Sequence, residues 1–429
     1  MTDSVTERIR TYVDILINEL VPAQGCTEPI AIALSAARAS EILGCTPDRL
    51  VVHVAGNMGK NAKSVTVPNS GGLKGIRIAA ALGALAGDAS LLLQVLSPVT
   101  PDDVKRAKAF VAAGKVDVKL ADTEENLYVR TQAFHDNHES NVEIKHDHSR
   151  FYSICMDGHM LLDRSREQTA PVDKVNRESL SVKDIVEAAD RIEFVEYPML
   201  VDVLERQIKL NRAIAAEGIN SKYGVQVGRT LLKDNEDNPA VRAKAMAAAG
   251  SDARMNGSDL PVVINSGSGN QGITVSVPVL EFADAHDVPH DRVLRSLFVA
   301  NLLAIHQKRF IGKLSAFCGV VSAAAAAGAG IAYMEGHPLD LIEKTITNTL
   351  GTAGGIVCDG AKASCAAKIA LSLDNALMAK QMAEQGHVFL PGDGIVGTNV
   401  EETIRNVGRV AKKGMRATDL EILLIMTGK

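Results

Sequence analysis

Three cysteines in the second half of the chain have a spacing that suggests metal chemistry. Cys318 precedes an alanine-rich segment, Cys358 follows a glycine-rich run that starts at Gly351, and Cys365 comes seven residues later. If the segment between the last two is helical, both thiols face the same way. Glycines beside a cysteine let backbone N–H groups approach the sulfides of an inorganic cluster.

The donor set favours an iron–sulfur cluster over zinc. A structural zinc site normally has a fourth ligand and a CxxC knuckle, and neither accompanies these cysteines. Three thiolates suit a [4Fe–4S] cluster with one open iron, which can act as a Lewis acid as an open zinc position does. From the spacing alone, three ordinary buried thiols remain the alternative, because free cysteine is commonly buried.

Cys26 is the second candidate for chemistry. It lies in Gly25-Cys-Thr-Glu-Pro29, directly before a predicted helix that Thr27 can cap. The dipole and free N–H groups at a helix start favour a thiolate. Cys26 is therefore a candidate general base, nucleophile or fourth cluster ligand, and an inert cysteine near a helix cap is the alternative.

Two polar turns are rich in hydrogen-bond donors, one at residues 56–61 and the other at residues 265–272. Such turns bind carboxylates or phosphates through backbone N–H groups. Residues 267–272 match GxGxxG, but a dinucleotide fingerprint must open a helix, and the sequence predicts a strand at residues 273–277. Dinucleotide binding is therefore rejected, and two tight structural turns remain the alternative.

Histidines are concentrated in the middle of the chain, interleaved with aspartates. We interpret them as polar faces and turns of surface strands, with a metal site as the less favoured alternative. The histidines are His135, His138, His146, His148 and His159.

Cys45 and Cys155 have no partners at suggestive spacing and are interpreted as structural.

The predicted secondary structure contains the same order of elements twice, with a constant offset of 210 residues. Internal repeats of this kind indicate a pseudo-twofold molecule, and chance convergence of strand–turn–strand patterns is the alternative. The first copy comprises a helix at 28–43, a strand at 50–54, a polar turn at 55–63 and a strand at 64–67, followed by a helix at 74–87. The second comprises a helix at 239–249, a strand at 261–265, a turn at 266–272 and a strand at 273–277.

Between the copies, partial alternation predicts antiparallel strands. Residues 182–235 and 290–429 are predicted to be mainly helical. The fold class is therefore α/β or α+β, with duplicated helix–strand–turn–strand units and a large helical C-terminal part. We expect an N-terminal half, 1–210, with the first copy and the strand insert at about 115–170, and a C-terminal half, 211–429, with the second copy and a helical cluster-binding region. The insert strands are 116–120, 127–133, 141–145 and 151–156.

Composition excludes several classes of protein. The 429 residues include 3% aromatics and no Trp, and the net charge is −5, without the basic footprint that nucleic-acid binding needs. The N-terminus lacks the apolar run of a signal peptide. The apolar stretch Val320–Met334 is shorter than a membrane span, which takes about 20 residues, so this stretch is expected to be a buried helix. We expect a cytoplasmic protein with no nucleic-acid or membrane partner.

Seven motifs together resemble the L-cysteine desulfidase family, which is related to the alpha region of iron–sulfur L-serine dehydratases. The resemblance spans essentially the whole chain. The motifs are Gly25-Cys-Thr-Glu-Pro, Gly56-Asn-Met-Gly-Lys-Asn, Val67-Pro-Asn-Ser-Gly-Gly, Ser251-Asp-Ala-Arg-Met, Asn265-Ser-Gly-Ser-Gly-Asn-Gln-Gly, Leu314-Ser-Ala-Phe-Cys-Gly and Cys358-Asp-Gly-Ala-Lys-Ala-Ser-Cys.

The resemblance implies that Cys318, Cys358 and Cys365 bind a [4Fe–4S] cluster and that Cys26 acts in catalysis. The short spacing from Cys358 to Cys365 is more similar to desulfidases than to serine dehydratases. We also expect the protein to differ from serine dehydratases in lacking their separate N-terminal β-domain.

The implied reaction converts L-cysteine and water to hydrogen sulfide, pyruvate and ammonia without pyridoxal phosphate. In this hypothesis the substrate carboxylate and amine bind near four residues of the polar turns, with charge assistance from Lys60, Lys308 or Lys313. An L-serine dehydratase with the same cluster, or a non-catalytic iron–sulfur or small-molecule binding protein, remains the alternative, and a homo-oligomer is possible. The four turn residues are Asn61, Ser268, Asn270 and Gln271.

Overall fold

A computed structural model describes residues 4–165, 176–312 and 314–427. The helices within these ranges are α1 (Ser4–Glu19), α2 (Thr27–Leu43), α3 (Gly56–Ala62), α4 (Ile76–Ala86), α5 (Pro101–Ala112), α6 (Val182–Arg191), α7 (Pro198–Asn220), α8 (Val227–Leu232), α9 (Pro239–Met255), α10 (Gly269–Ala285), α11 (His290–Ile311), α12 (Val320–Met334), α13 (Leu339–Ala353), α14 (Cys365–Glu384), α15 (Val400–Arg409) and α16 (Arg416–Thr427). The strands are β1 (Pro22–Gln24), β2 (Arg49–Val54), β3 (Val116–Leu120), β4 (Tyr128–His135), β5 (His138–Lys145), β6 (Phe151–Met156), β7 (His159–Asp163) and β8 (Pro261–Val263).

Six strands form a mixed sheet in the order β3-β2-β4-β5-β6-β7. Burial alternates along β4 and β5, as expected when one face of a sheet covers a core. That face packs on α2, where Ser35 donates a hydrogen bond to Val142 O at 3.1 Å. The predicted insert strands are confirmed, except that β3 pairs parallel, not antiparallel, with β2.

The C-terminal part is helical, and α12 is its centre. Every residue of α12 is buried, which confirms the buried helix expected at Val320–Met334. Alanine and glycine let neighbouring helices approach closely, and a Cβ at Gly330 would lie 2.8 Å from the Ala300 side chain of α11. The α/β class with a large helical C-terminal part is therefore confirmed. No helix in the described ranges is both long and apolar enough to cross a membrane.

A two-stranded antiparallel sheet joins distant parts of the chain. β1 pairs with β8, so that Ala23 lies opposite Val262. Because α2 begins just after β1 and α10 begins just after β8, this pairing brings the starts of both helices together. The two large buried hydrophobic clusters each draw residues from both sides of residue 210. The boundary predicted there stays a prediction about domain organisation.

The repeated helix–strand–turn–strand unit is not confirmed. Residues 55–63 were predicted as a turn but contain the helix α3, whose buried Met58 and Ala62 outweigh the low helix propensity of its Gly and Asn residues. Residues 64–67 form no strand, and only Thr66 makes an isolated bridge, to Lys74.

The strand predicted at 273–277 is also wrong, because these residues lie inside α10 with Pro278. Alternating β-branched residues before a proline favoured a strand. However, residues 269–283 are all buried, so no polar face reveals the helical period. The Ser268 hydroxyl caps the helix by accepting a hydrogen bond from the backbone N–H of Gln271 at 3.4 Å.

We expect Gly83→Ala to destabilise the fold by about 1–3 kcal/mol, because a Cβ there would overlap the Ala33 carbonyl where α4 crosses α2. Denaturant unfolding followed by circular dichroism measures the loss. Gly355→Ala is the control, since its Cβ would meet nothing within 4 Å. Equal stability of both variants would contradict the close helix packing.

Candidate active site

Four helices begin around one small buried cavity of about 100 Å³. They are α2, preceded by Cys26, α10, preceded by Ser268, α12, preceded by Gly319, and α14, preceded by Ser364. Helix starts carry partial positive charge and attract anions. All eight residues predicted to act in catalysis, substrate binding or metal binding line this cavity. They are Cys26, Asn61, Ser268, Asn270, Gln271, Cys318, Cys358 and Cys365.

A short antiparallel pairing sets Cys318 and Cys358 against each other. The Cys358 amide donates to Ala316 O at 2.6 Å, and the Cys318 amide donates to Ile356 O at 2.9 Å. Cys365 is the first residue of α14. The segment between Cys358 and Cys365 is not helical, so helical spacing does not align the two thiols: residues 358–364 form a loop that includes Gly360 at φ +99°.

The thiols differ in how easily they lose a proton. A hydrogen bond from Cys318 lowers the pKa of Cys358 to about 6, helped by the Gly360 amide and by Lys60 and Lys308. The same hydrogen bond and burial raise the pKa of Cys318 well above its usual value. Burial also raises the pKa of Cys365. The pair therefore holds a thiolate on Cys358 at neutral pH.

Two buried lysines face these thiols. Lys60 donates to Asp419 Oδ1 at 2.6 Å and to Cys358 O at 3.3 Å. Lys308 is 5% exposed and has no hydrogen bond or ion pair to any residue in the described ranges. Burial lowers its pKa, and the nearby sulfur groups of Cys358 and Cys318 oppose that shift. Lys313 lies outside the described residues.

Cys26 is held as a thiol, not as the thiolate expected from its place before α2. Its Sγ donates to Glu28 Oε2 at 2.8 Å. Burial raises the pKa of Cys26 well above its usual value, and the adjacent Glu28 charge raises it further. The helix dipole is thus outweighed by burial beside a carboxylate.

Glu28 is a buried carboxylate with several donors. Burial alone would raise the pKa of Glu28. Hydrogen bonds and charge from His148, Cys26 and Asn61 outweigh burial, so that the pKa lies well below its usual range. Asn61 Nδ2 donates to Oε1 at 2.8 Å, and His148 Nε2 lies 3.8 Å from the same oxygen. Thr27 Oγ1 donates to Oε2 at 3.2 Å.

The interpretation of the histidines as surface residues is wrong for His148, which is 3% exposed. It reaches the cavity from the loop between β5 and β6, whereas His135 and His138 lie on the sheet and pair with surface aspartates. Its position just after the alternating strand β5 was the available signal, but no local pattern shows which way a turn folds.

Arg254 is a second residue that sequence reasoning left without a role. It lies in the last turn of α9, is 3% exposed, and donates from Nη1 to Asn270 Oδ1 at 3.1 Å. Cys26, Glu28 and Cys365 are close enough to act on its pKa. A buried guanidinium beside the start of α10 is suited to bind a carboxylate bidentately. The Ser251-Asp-Ala-Arg-Met motif was the signal.

The dinucleotide fingerprint was rejected on a wrong ground, since α10 does begin inside residues 267–272. The strand before it, β8, pairs antiparallel with β1. A dinucleotide fold needs a parallel βαβ unit at this point, and the described strands around α10 do not provide one.

Two groups of side chains outside the cavity could bind a single metal ion. Within the described ranges, two groups bring three potential ligand atoms within 4.8 Å of one another, and neither contains a cavity cysteine. The first is Asp48, His135 and Asp136, and the second is Glu335, His337 and Glu384. Lys380 already forms ion pairs with both glutamates of the second group. Cysteines that bind different irons of a cluster need not meet such a distance.

Comparison with protein-family profiles identifies the family of this chain. The profile of the serine dehydratase alpha chain matches residues 92–424, more than three quarters of the chain. The chain belongs to the serine dehydratase alpha chain family. Cys26, Glu28 and Asn61 precede the matched range, while the three cavity cysteines lie within it.

Relatives cover the full length. A UPF0597 protein of Finegoldia magna is 47% identical over 423 residues, 98% of this chain and 100% of the relative. One of Lachnoclostridium phytofermentans is 49% identical over 417 residues, 97% and 99% of the two chains. One of Aeromonas hydrophila is 37% identical over 428 residues, 97% and 96% of the two chains.

In cluster-free, anaerobic protein we expect iodoacetamide to alkylate Cys358 faster as the pH rises through about 6, with a level rate above about pH 8. A lowered pKa means that the thiolate is already present at neutral pH. Cys26 and Cys318 should stay unreacted over this range. Peptide mass spectrometry after short pulses measures each site, and a Cys358 that reacts only at more alkaline pH would contradict the assignment.

Proposed function

We propose that the protein is an iron–sulfur lyase that removes the β-substituent of a small amino acid. The proposed substrate is L-cysteine, and the products are hydrogen sulfide, pyruvate and ammonia. The observation that carries the proposal is that Cys318, Cys358 and Cys365 line one cavity together with Lys308, which has no hydrogen bond or ion pair to the described residues. Family membership supports a lyase.

The residues of the cavity fit a [4Fe–4S] cluster held by Cys318, Cys358 and Cys365. Thiolates are the usual ligands of such clusters. A buried cation that makes no hydrogen bond or ion pair with the described residues, such as Lys308, is costly, and an anionic cluster would compensate it. The starts of α12 and α14 also face this side of the cavity and favour negative charge.

The cluster would supply, at the iron that no cysteine binds, a Lewis acid for the β-substituent of the substrate. Arg254 and the start of α10, with Ser268, Asn270 and Gln271, bind the carboxylate in this proposal. The guanidinium supplies charge, and the helix N–H groups supply direction.

Cys26, together with Glu28, removes the α-proton of the substrate in this proposal. The Cys26 thiol, which donates to Glu28 Oε2 at 2.8 Å, loses its proton to solvent when the substrate binds, and Cys26 Sγ then takes the α-proton of the substrate. Asn61 and His148 hold Glu28 in place. The resulting aminoacrylate leaves the site, tautomerises and hydrolyses to pyruvate and ammonia without pyridoxal phosphate.

L-Serine is the second candidate substrate, favoured by the family description. Anaerobically reconstituted protein should release sulfide and pyruvate from L-cysteine with a higher kcat/KM than it releases pyruvate from L-serine. The reverse preference would change the substrate and keep the mechanism. Tight amino-acid binding without product from either would indicate a binding protein.

Cys358→Ser should abolish both the absorption near about 400 nm and sulfide release, because one cluster ligand is lost. Cys155→Ser is the matched control, since Cys155 lies on β6 outside the cavity and should leave both unchanged. Activity that survives in Cys358→Ser would refute the cluster-dependent mechanism.

Arg254→Lys should raise KM for the amino acid at least about tenfold, because lysine cannot make the bidentate contact with a carboxylate. Arg229→Lys on helix α8 is the control, because Arg229 does not line the cavity. Steady-state kinetics at saturating and limiting substrate separate KM from kcat. An unchanged KM would remove Arg254 from the carboxylate site.

A further inference from the structure

Asp419 of the C-terminal helix α16 closes a ring of hydrogen bonds around Cys358. Its Oδ1 accepts from Lys60 Nζ at 2.6 Å, and its Oδ2 accepts from the Ala316 amide at 3.0 Å. Ala316 O accepts from the Cys358 amide at 2.6 Å, and Lys60 Nζ also donates to Cys358 O at 3.3 Å. One carboxylate therefore fixes both strands of the pairing that sets Cys318 against Cys358.

This ion pair differs from the surface ion pairs of the chain. The Lys60 side chain is 2% exposed and that of Asp419 is 19% exposed. Removing one partner of a buried pair leaves an uncompensated charge, which costs far more than the loss of a surface pair. The Ala316 amide would lose its acceptor at the same time.

The helix that carries Asp419 is attached through few contacts. Leu423 packs against Gly56 of α3, where a Cβ would lie 2.9 Å from the leucine. Lys63 Nζ donates to Met426 O at 2.6 Å. Leu420 and Ile425 remain 59% and 69% exposed. Helix α16 thus packs on α3 with much of its apolar surface exposed, and its partly buried Asp419 lies beside the cysteines.

We propose that Asp419 is a positioning residue that holds Cys318 and Cys358 in place for the cluster, and that it does so only while α16 is docked on α3. The proposal rests on the proposed function, because it assumes that these cysteines bind a cluster. Asp419 touches neither substrate nor thiols and acts through Lys60 and Ala316. Undocking of α16 would release both at once.

The test compares Asp419→Asn with Asp374→Asn in anaerobically reconstituted protein. Asp374 forms a solvent-exposed pair with Lys244 at 2.5 Å, so its variant makes the same charge change away from the site. Asparagine nearly keeps the shape of aspartate, and circular dichroism checks folding. The readouts are the rate of iron loss to a chelator and the midpoint potential of the cluster.

We expect Asp419→Asn to lose iron about tenfold faster than wild type and to shift the potential, as loss of a buried charged acceptor implies. Asp374→Asn should match wild type. Iron loss and potential that are unchanged in Asp419→Asn would overturn the proposal.

Hydrogen exchange in cluster-free protein separates this proposal from the cluster itself. Asp419→Asn should speed exchange of the Ala316 and Cys358 amides and of α16, with Asp374→Asn unchanged. If wild type binds no cluster, the proposed function fails, while faster exchange would still show that Asp419 holds the cysteine pairing. Unchanged exchange at these amides would contradict the positioning role whether or not a cluster binds.

Discussion

Buried charge is the constraint on which the rest of the site depends. Glu28, Lys60, Arg254 and Lys308 are each less than a tenth exposed and face one cavity. Charge removed from water is costly unless it is paired or hydrogen-bonded. Glu28 has its donors and Lys60 has Asp419, whereas Lys308 has no partner in the described part of the chain. The cavity therefore favours an anionic occupant on its cysteine side.

The fold meets this constraint by bringing helix starts together from distant parts of the sequence. The pairing of β1 with β8 joins α2 to α10, and the pairing of Phe317 with Val357 joins the starts of α12 and α14. Small residues in α4 and α12 let the surrounding helices pack closely. The sheet contributes the loop that carries His148. The cavity is thus a product of tertiary packing, and no single segment forms it.

Much of this could be predicted from residue types, because thiols, capping residues and strand alternation have local signatures. The residues expected at the cavity do line it, and most strands and helices lie where periodicity indicated. Helix α10 was missed because it is buried on all sides and has no polar face. The protonation of Cys26 was missed because it depends on burial beside Glu28. The positions of Arg254, His148 and Asp419 were missed because only long-range packing determines them.

The most direct test of the central claim is a Mössbauer spectrum of protein reconstituted anaerobically with ⁵⁷Fe, recorded with and without L-cysteine. The account predicts about four irons per chain in a [4Fe–4S] cluster, with one iron whose signal changes when L-cysteine binds. A protein that binds no cluster would contradict the account. A cluster whose iron signals are all unchanged by L-cysteine, while product still forms, would also contradict it.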